Sequence, residues 1–203
     1  MQPKLTTRQQ KALERREQIL ETAVRLFAQH GFNGTSTRQI ADAAGITEGL
    51  IFHYFPTKNH LLHAILASDH SYFNNLQAML LEKQQEPVET VLTQIAIEWL
   101  ATLRREQAIT LVLFGEAQTN PQVHEAMQSL IERGIARLSA YLQGQQAAGK
   151  LRPDLPLATS AHTFFASLMI FFMTRHNLRE SEWQAQVVAF VPDMLSVWLN
   201  GAR

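Results

Sequence analysis

The sequence predicts an all-α protein, an N-terminal three-helix head holding a helix-turn-helix followed by a C-terminal body of roughly six helices. Three observations carry this. Apolar residues recur at helical spacing along most of the chain, and no convincing strand pattern occurs. Glycine and proline are sparse, nine and seven in 203 residues, and no internal repeat or low-complexity tract stands out. Residues 35–61 read TSTRQIADAAGITEGLIFHYFPTKNHL, two short helical patterns joined at Ala44-Gly45.

Residues 1–9 read as a loose arm. From about Gln10 to Gln29, Leu13, Ile19, Leu20, Ala23, Val24, Leu26 and Phe27 follow helical spacing. His30-Gly31 ends that helix and Phe32 packs back on it. The next helix runs from about Thr37 to Ala44, with Ile40, Ala41 and Ala44 on one apolar side. Thr35, Ser36 and Thr37 stand where an N-cap belongs, because a hydroxyl accepts the orphan N–H groups of a first turn. Gly45 follows, where a left-handed backbone is cheap for glycine. Thr47 caps a second short helix to about Phe55, and Pro56 stops it. Ile46, Leu50, Ile51 and Phe55 are the candidates for its inner face, though they cannot all be buried.

One long helix is expected from Lys58 to about Gln84, with Leu61, Leu62, Ile65, Leu66, Phe73, Leu76, Met79 and Leu80. Pro87 suits the first turn of a helix ending near Arg105. A shorter helix spans about Gln107 to Ala117. Asn120-Pro121 pairs a cap with a first-turn proline and opens a helix to about Ala148, ended by Gly149. Two apolar helices follow a proline-bearing connection, about Leu157–Asn177 and Glu180–Leu199.

Composition bounds the function. An apolar fraction of 46% allows a sizeable core. The absence of cysteine excludes disulfides and thiolate chemistry and fits a reducing cytoplasm. The polar start of the chain is no secretory signal, and the longest unbroken apolar run, Leu168 to Met173, is too short to span a bilayer. Net charge is zero, but its distribution is uneven. Residues 1–60 hold eight Lys/Arg against five Asp/Glu, and the remainder holds ten against thirteen. A basic head on a mildly acidic body suits a module that meets phosphate at one end. No Gly-rich phosphate loop, nucleophile motif or acid pair at catalytic spacing argues for an enzyme, and no cofactor is expected.

The run GFNGTSTRQIADAAGITEGLIFHYFPTKNHLL resembles the DNA-binding domain of the TetR family of transcriptional regulators. Gly31-Phe32, Thr35 to Thr37, Ile40-Ala41, Ala44-Gly45-Ile46, Gly49, Phe52, Tyr54-Phe55, Lys58 and Leu61 carry the match, over about residues 15–65. The resemblance implies a DNA-binding domain over residues 1–60 and an effector-binding, dimerising domain over residues 61–203. It implies a ligand-responsive regulator that binds double-stranded operator DNA, usually a repressor. An activator, or a structural DNA-binding protein without effector, is the competing reading.

Ser36 and Thr37 offer hydroxyls beside free N–H groups, a place for phosphate, and the resemblance gives Thr37 that role. Arg38 resembles a position that reaches a base, where arginine pairs with guanine; otherwise it is a solvated charge. Thr47, Glu48, Gly49, Phe52, His53 and Tyr54 include the groove-facing set. Gly49 keeps the helix close to the duplex. Phe52 either touches a thymine methyl or packs in the core. Glu48 repels phosphate yet can accept from cytosine N4, and it departs from the basic or neutral residue of many relatives. Lys58 stands where the family places a phosphate-binding lysine. Lys4, Arg8 and Lys11 form either a basic arm on the duplex or a tail without function.

For the body, the resemblance implies a small effector and a homodimer. The last two helices are apolar on more than one face, which favours burial by a partner over a single core. Trp99, Leu103, Phe114, Met127, Ile131, Phe165 and Met169 are the candidate lining for a small hydrophobic effector, with Glu116, His124 and His162 for polarity. Each taken singly also reads as plain core. His60, His63 and His70 read as solvated or packed rather than as metal ligands.

Overall fold

The computed structural model describes residues 6–66 and 72–201, which form ten α-helices and no strand. The chain divides into two compact units, Met1–Ser68 with Ala108–Gln128, and Asp69–Gln107 with Ser129–Arg203.

In the first unit, α1 (Thr7–His30) begins inside the segment expected to be a loose arm. The cause is a capping box. The Thr6 hydroxyl oxygen accepts from the Gln9 N–H at 3.3 Å, and Gln9 Oε1 accepts from the Thr6 N–H at 2.9 Å. Arg8 and Lys11 therefore stand exposed on a helix, and Lys4 lies outside the described residues. Ile19, Leu20, Ala23, Leu26 and Phe27 are buried, and α1 packs on α2 (Thr37–Ala44) and α4 (Lys58–Leu66). Leu13, expected on the apolar face, is exposed.

The turn between α2 and α3 (Glu48–Tyr54) rests on Gly45, whose φ of 65° and ψ of 36° are left-handed. Its N–H bonds back to the Ala41 and Asp42 carbonyls, closing the end of α2. Gln18 Nε2 donates to the Ala44 carbonyl at 3.0 Å and ties α1 to that end. Ile40, Ala41, Ala44, Ile51 and Phe55 complete the core under the two short helices. Ile46 and Leu50 are half-buried. The single long helix expected from Lys58 is described as α4 and α5 (Tyr72–Glu82); residues 67–71, with His70, lie outside the described residues. The first unit also holds α7 (Gln107–Glu116) and the start of α8 (Pro121–Ala147). Asn120 Oδ1 caps α8 by accepting from the Gln122 N–H at 3.1 Å.

In the second unit, α6 (Val88–Arg105) packs on α5, α9 (Leu157–Arg175) and α10 (Glu180–Asn200). It buries Val91, Leu92, Ile95, Ala96, Trp99, Leu100 and Leu103. One corner is closed by Arg104, whose guanidinium donates to the Leu178 carbonyl at 2.6 Å and to the His176 carbonyl, and lies 5.2 Å from the Trp183 ring centroid. Helix α9 is long and apolar enough to cross a membrane by length and composition, although its longest unbroken apolar run is short. Its buried stripe is Ser160, Ala161, Phe164, Phe165, Leu168, Phe171 and Phe172. The other face mixes Ala166 and Ile170 with His162, Thr163 and Ser167.

Candidate nucleic-acid interface

The site is built on the turn that ends α1 and starts α2. Thr35 is buried, and its hydroxyl donates to the Gly31 carbonyl at 2.8 Å, with the Leu26 carbonyl 3.2 Å away. It serves the Gly31 carbonyl just past the end of α1 rather than capping α2. Ser36 is the cap of α2. Its oxygen accepts from the Gln39 N–H at 3.2 Å, and Gln39 Oε1 accepts from the Ser36 N–H at 2.7 Å. This Ser-x-x-Gln pattern is legible in the sequence.

The same turn is held from two further directions. Lys58 Nζ donates to the Phe32 carbonyl at 2.7 Å and the Thr35 carbonyl at 3.0 Å, and lies 4.3 Å from the Phe32 ring centroid. Burial pushes its pKa below the ordinary lysine value, and the Glu116 carboxylate draws it back up. Glu116, the last residue of α7, accepts from the Asn33 N–H at 3.3 Å and from Asn33 Nδ2 at 2.8 Å. Its backbone carbonyl accepts from the Asn120 N–H at 2.8 Å. Glu116 thus joins the end of α7, the start of α8 and the turn before α2. The sequence suggested it only as polarity for a pocket; a contact spanning 83 positions leaves no local signature.

Helix α3 presents Thr47, Gly49, Phe52 and His53 as exposed residues on one short element, with Tyr54 and Glu48 half-buried. Phe52 is 45% exposed, which rules out the core reading of that ring. The Thr47 oxygen accepts from the Leu50 N–H at 3.3 Å, capping α3. His53 and Tyr54 pack edge to face, with centroids 5.3 Å apart. Arg38 is exposed on α2. Thr37 and Glu48, expected to act separately, are joined. The Thr37 hydroxyl donates to Glu48 Oε1 at 2.5 Å, bridging the first residues of α2 and α3.

The candidate effector residues fall in both units. In the second unit Trp99, Leu103 and Phe165 are buried, and the Trp99 and Phe165 rings meet edge to face at 4.9 Å. Met169 is half-buried and Ile131 is exposed. In the first unit Met127 is buried and Phe114 half-buried. His124 and His162 are exposed. A shallow groove follows Pro87, Thr90, Thr93, Gln94 and Ile97 along the outer face of α6, and none of the seven candidates lines it. The His60 ring nitrogen Nδ1 lies 2.8 Å from the Thr57 hydroxyl.

Comparison with known proteins accords with this arrangement. Residues 19–65 match the family described as bacterial regulatory proteins, tetR family. Residues 90–192 match the AefR-like transcriptional repressor, C-terminal domain. The chain is 25% identical to the HTH-type transcriptional repressor NicS of Pseudomonas putida, over 98% of each chain. It is 30% identical to the HTH-type transcriptional repressor AcnR of Corynebacterium diphtheriae, over 79% of this chain and 80% of that one. Among solved structures, Salmonella enterica GusR gives a TM-score of 0.74 at 25% identity, covering 98% of this chain and 100% of that one. Bacillus subtilis FadR in complex with stearoyl-CoA gives 0.71 at 18% identity, over 92% and 99%, a likeness of fold.

Proposed function

The chain belongs to the TetR family of bacterial regulatory proteins, and from that premise we propose how this DNA-binding, ligand-responsive transcriptional regulator meets its operator. Helix α3 enters the major groove, with Thr47, Glu48, Gly49, Phe52, His53 and Tyr54 facing the duplex. Ser36, Thr37 and Lys58 lie near phosphate, and Arg38 reads a base, with guanine preferred. A second copy of the chain joins through α9 and α10, so two recognition helices read a near-palindrome. A small hydrophobic effector held in the second unit, among Trp99, Leu103, Phe165 and Met169, favours a state whose heads no longer match consecutive grooves, and repression is relieved.

The observation that carries the α3 assignment is Gly49. Beyond its chain neighbours and the backbone of its own helix, a Cβ built there meets no atom within 4 Å, so no packing against the rest of the chain requires glycine. Glycine in a helix costs up to about 1 kcal/mol relative to alanine. Close approach of a duplex is the function that offsets this cost. Gly49→Ala is therefore expected to raise the midpoint of thermal unfolding while weakening operator binding. Tighter or unchanged binding would remove the assignment of this face to DNA.

Lys58 serves two masters in this reading. Two of its three N–H groups hold the turn, and the third, with the charge, remains for phosphate. Lys58→Ala should cost about 1–2 kcal/mol of stability by leaving two carbonyls without this donor. It should also weaken binding to all DNA sequences alike and flatten the salt dependence by about one counterion. An unchanged salt slope in a titration of duplex DNA would assign Lys58 to the turn alone.

A further inference from the structure

We propose that Glu48 is a discriminator coupled to Thr37: in the free chain its carboxylate holds the Thr37 hydroxyl, and a base amine in the groove weakens that hold and favours transfer of the hydroxyl to the DNA backbone. The inference rests on the reading that α3 enters the major groove.

The bond at 2.5 Å between Thr37 Oγ1 and Glu48 Oε1 belongs to the short, charge-assisted class. A threonine hydroxyl has one proton, so it cannot donate to Glu48 and to a phosphate oxygen together. The neighbouring hydroxyls are committed to caps. Ser36 Oγ accepts from the Gln39 N–H and lies 3.0 Å from Gln39 Oε1, and the Thr47 oxygen accepts from Leu50. Thr37 is thus the hydroxyl here whose partner is an anion rather than its own helix. A phosphate brought to Thr37 meets the Glu48 charge at the same place. On DNA of arbitrary sequence both penalties stand, the occupied donor and the like charge.

A duplex that presents cytosine N4 or adenine N6 to Glu48 changes the balance. The base amine donates to the carboxylate and offsets part of its charge, so the Glu48 hold on the hydroxyl weakens and Thr37 can rotate about χ1 to donate to phosphate. Guanine O6 and thymine O4 are acceptors and offer Glu48 nothing. Reading the base and gripping the backbone become one event. Glu48 then adds specificity by suppressing the wrong complexes, not by tightening the right one.

The test uses the full chain and labelled duplexes followed by fluorescence anisotropy, one duplex of randomised sequence and one operator selected by the wild-type protein. The variants are Glu48→Ala, Thr37→Val and the pair together, each checked for helical content. Glu48→Gln, of equal size, is the substitute if Glu48→Ala does not fold. Glu48→Ala is expected to bind the randomised duplex roughly threefold to tenfold more tightly, with a salt slope steeper by about one. The ratio of operator to randomised affinity should fall. In the Thr37→Val background the gain on randomised DNA should shrink by about threefold, because no hydroxyl remains to be freed. Equal gains in both backgrounds would reduce Glu48 to a simple charge and overturn the coupling. Unchanged binding to randomised DNA would overturn the discriminator altogether. A wild-type chain that enriches no operator would instead overturn the groove reading, and this inference would go with it.

Discussion

Aspartate at Ile170 and Val197 together is expected to turn the protein into a monomer and to lower operator affinity by about 10²- to 10⁴-fold, the loss that follows when two linked contacts become one. In the single chain these side chains are 64% and 77% exposed, and Val188 is 72% exposed. They lie on α9 and α10, opposite stripes that are fully buried, so the substitutions leave the core of one chain intact. Exposed sites of this kind change monomer stability by about 0.5 kcal/mol or less. An unpaired carboxylate in a dry interface has no such freedom, because its desolvation is not repaid. Light scattering at micromolar concentration should give twice the 23.0 kDa chain mass for the wild type and the chain mass for the variant. A double variant that stays dimeric and still binds operator would move the two-fold axis away from these helices.

The largest effect on stability is expected at Trp183. Its side chain is fully buried, 5.4 Å from the Phe171 ring and 6.3 Å from the Phe172 ring, with the Arg104 guanidinium over it. Trp183→Ala removes a fully buried indole from the second unit and leaves Arg104 above a cavity. The expected cost is about 3–5 kcal/mol. Trp183→Phe keeps an aromatic face for the cation and should cost clearly less. Urea unfolding followed by far-ultraviolet circular dichroism measures both without relying on the fluorophore removed. A loss under about 1 kcal/mol for alanine would mean that α6, α9 and α10 do not meet there in solution.

What the sequence revealed follows from the range of the forces involved. Helix periodicity, Gly45 and Asn120-Pro121 are local signals, and each appears at its expected place; the Ser36-x-x-Gln39 box is local too, and it picks Ser36 from three adjacent hydroxyls. The Thr6-x-x-Gln9 box is equally local, yet the polar composition of residues 1–9 read as an arm, so the start of α1 was placed too late. Contacts between distant residues were opaque. Nothing near Lys58 announces the carbonyls of Phe32 and Thr35, and nothing near Glu116 announces Asn33. Thr37 and Glu48 were both singled out, but as independent groups, because periodicity gives the face of a helix and not its distance from the next one. In the body, residue type suggested a lining without saying which side each faces. Ile131 proves exposed while Trp99 and Phe165 are a buried ring pair.

Two copies of α3 reading DNA together should select one sequence over others. Selection from a randomised duplex library by the purified protein, followed by sequencing of the bound fraction, tests it most directly. The expected product is an enriched near-palindrome whose half-sites lie roughly 34–36 Å apart or a multiple of it. In the same selection Arg38→Ala should relax one position in each half-site and leave the rest. Retention of DNA with no enriched sequence, at an affinity that varies only with salt, would mean that α3 does not read bases.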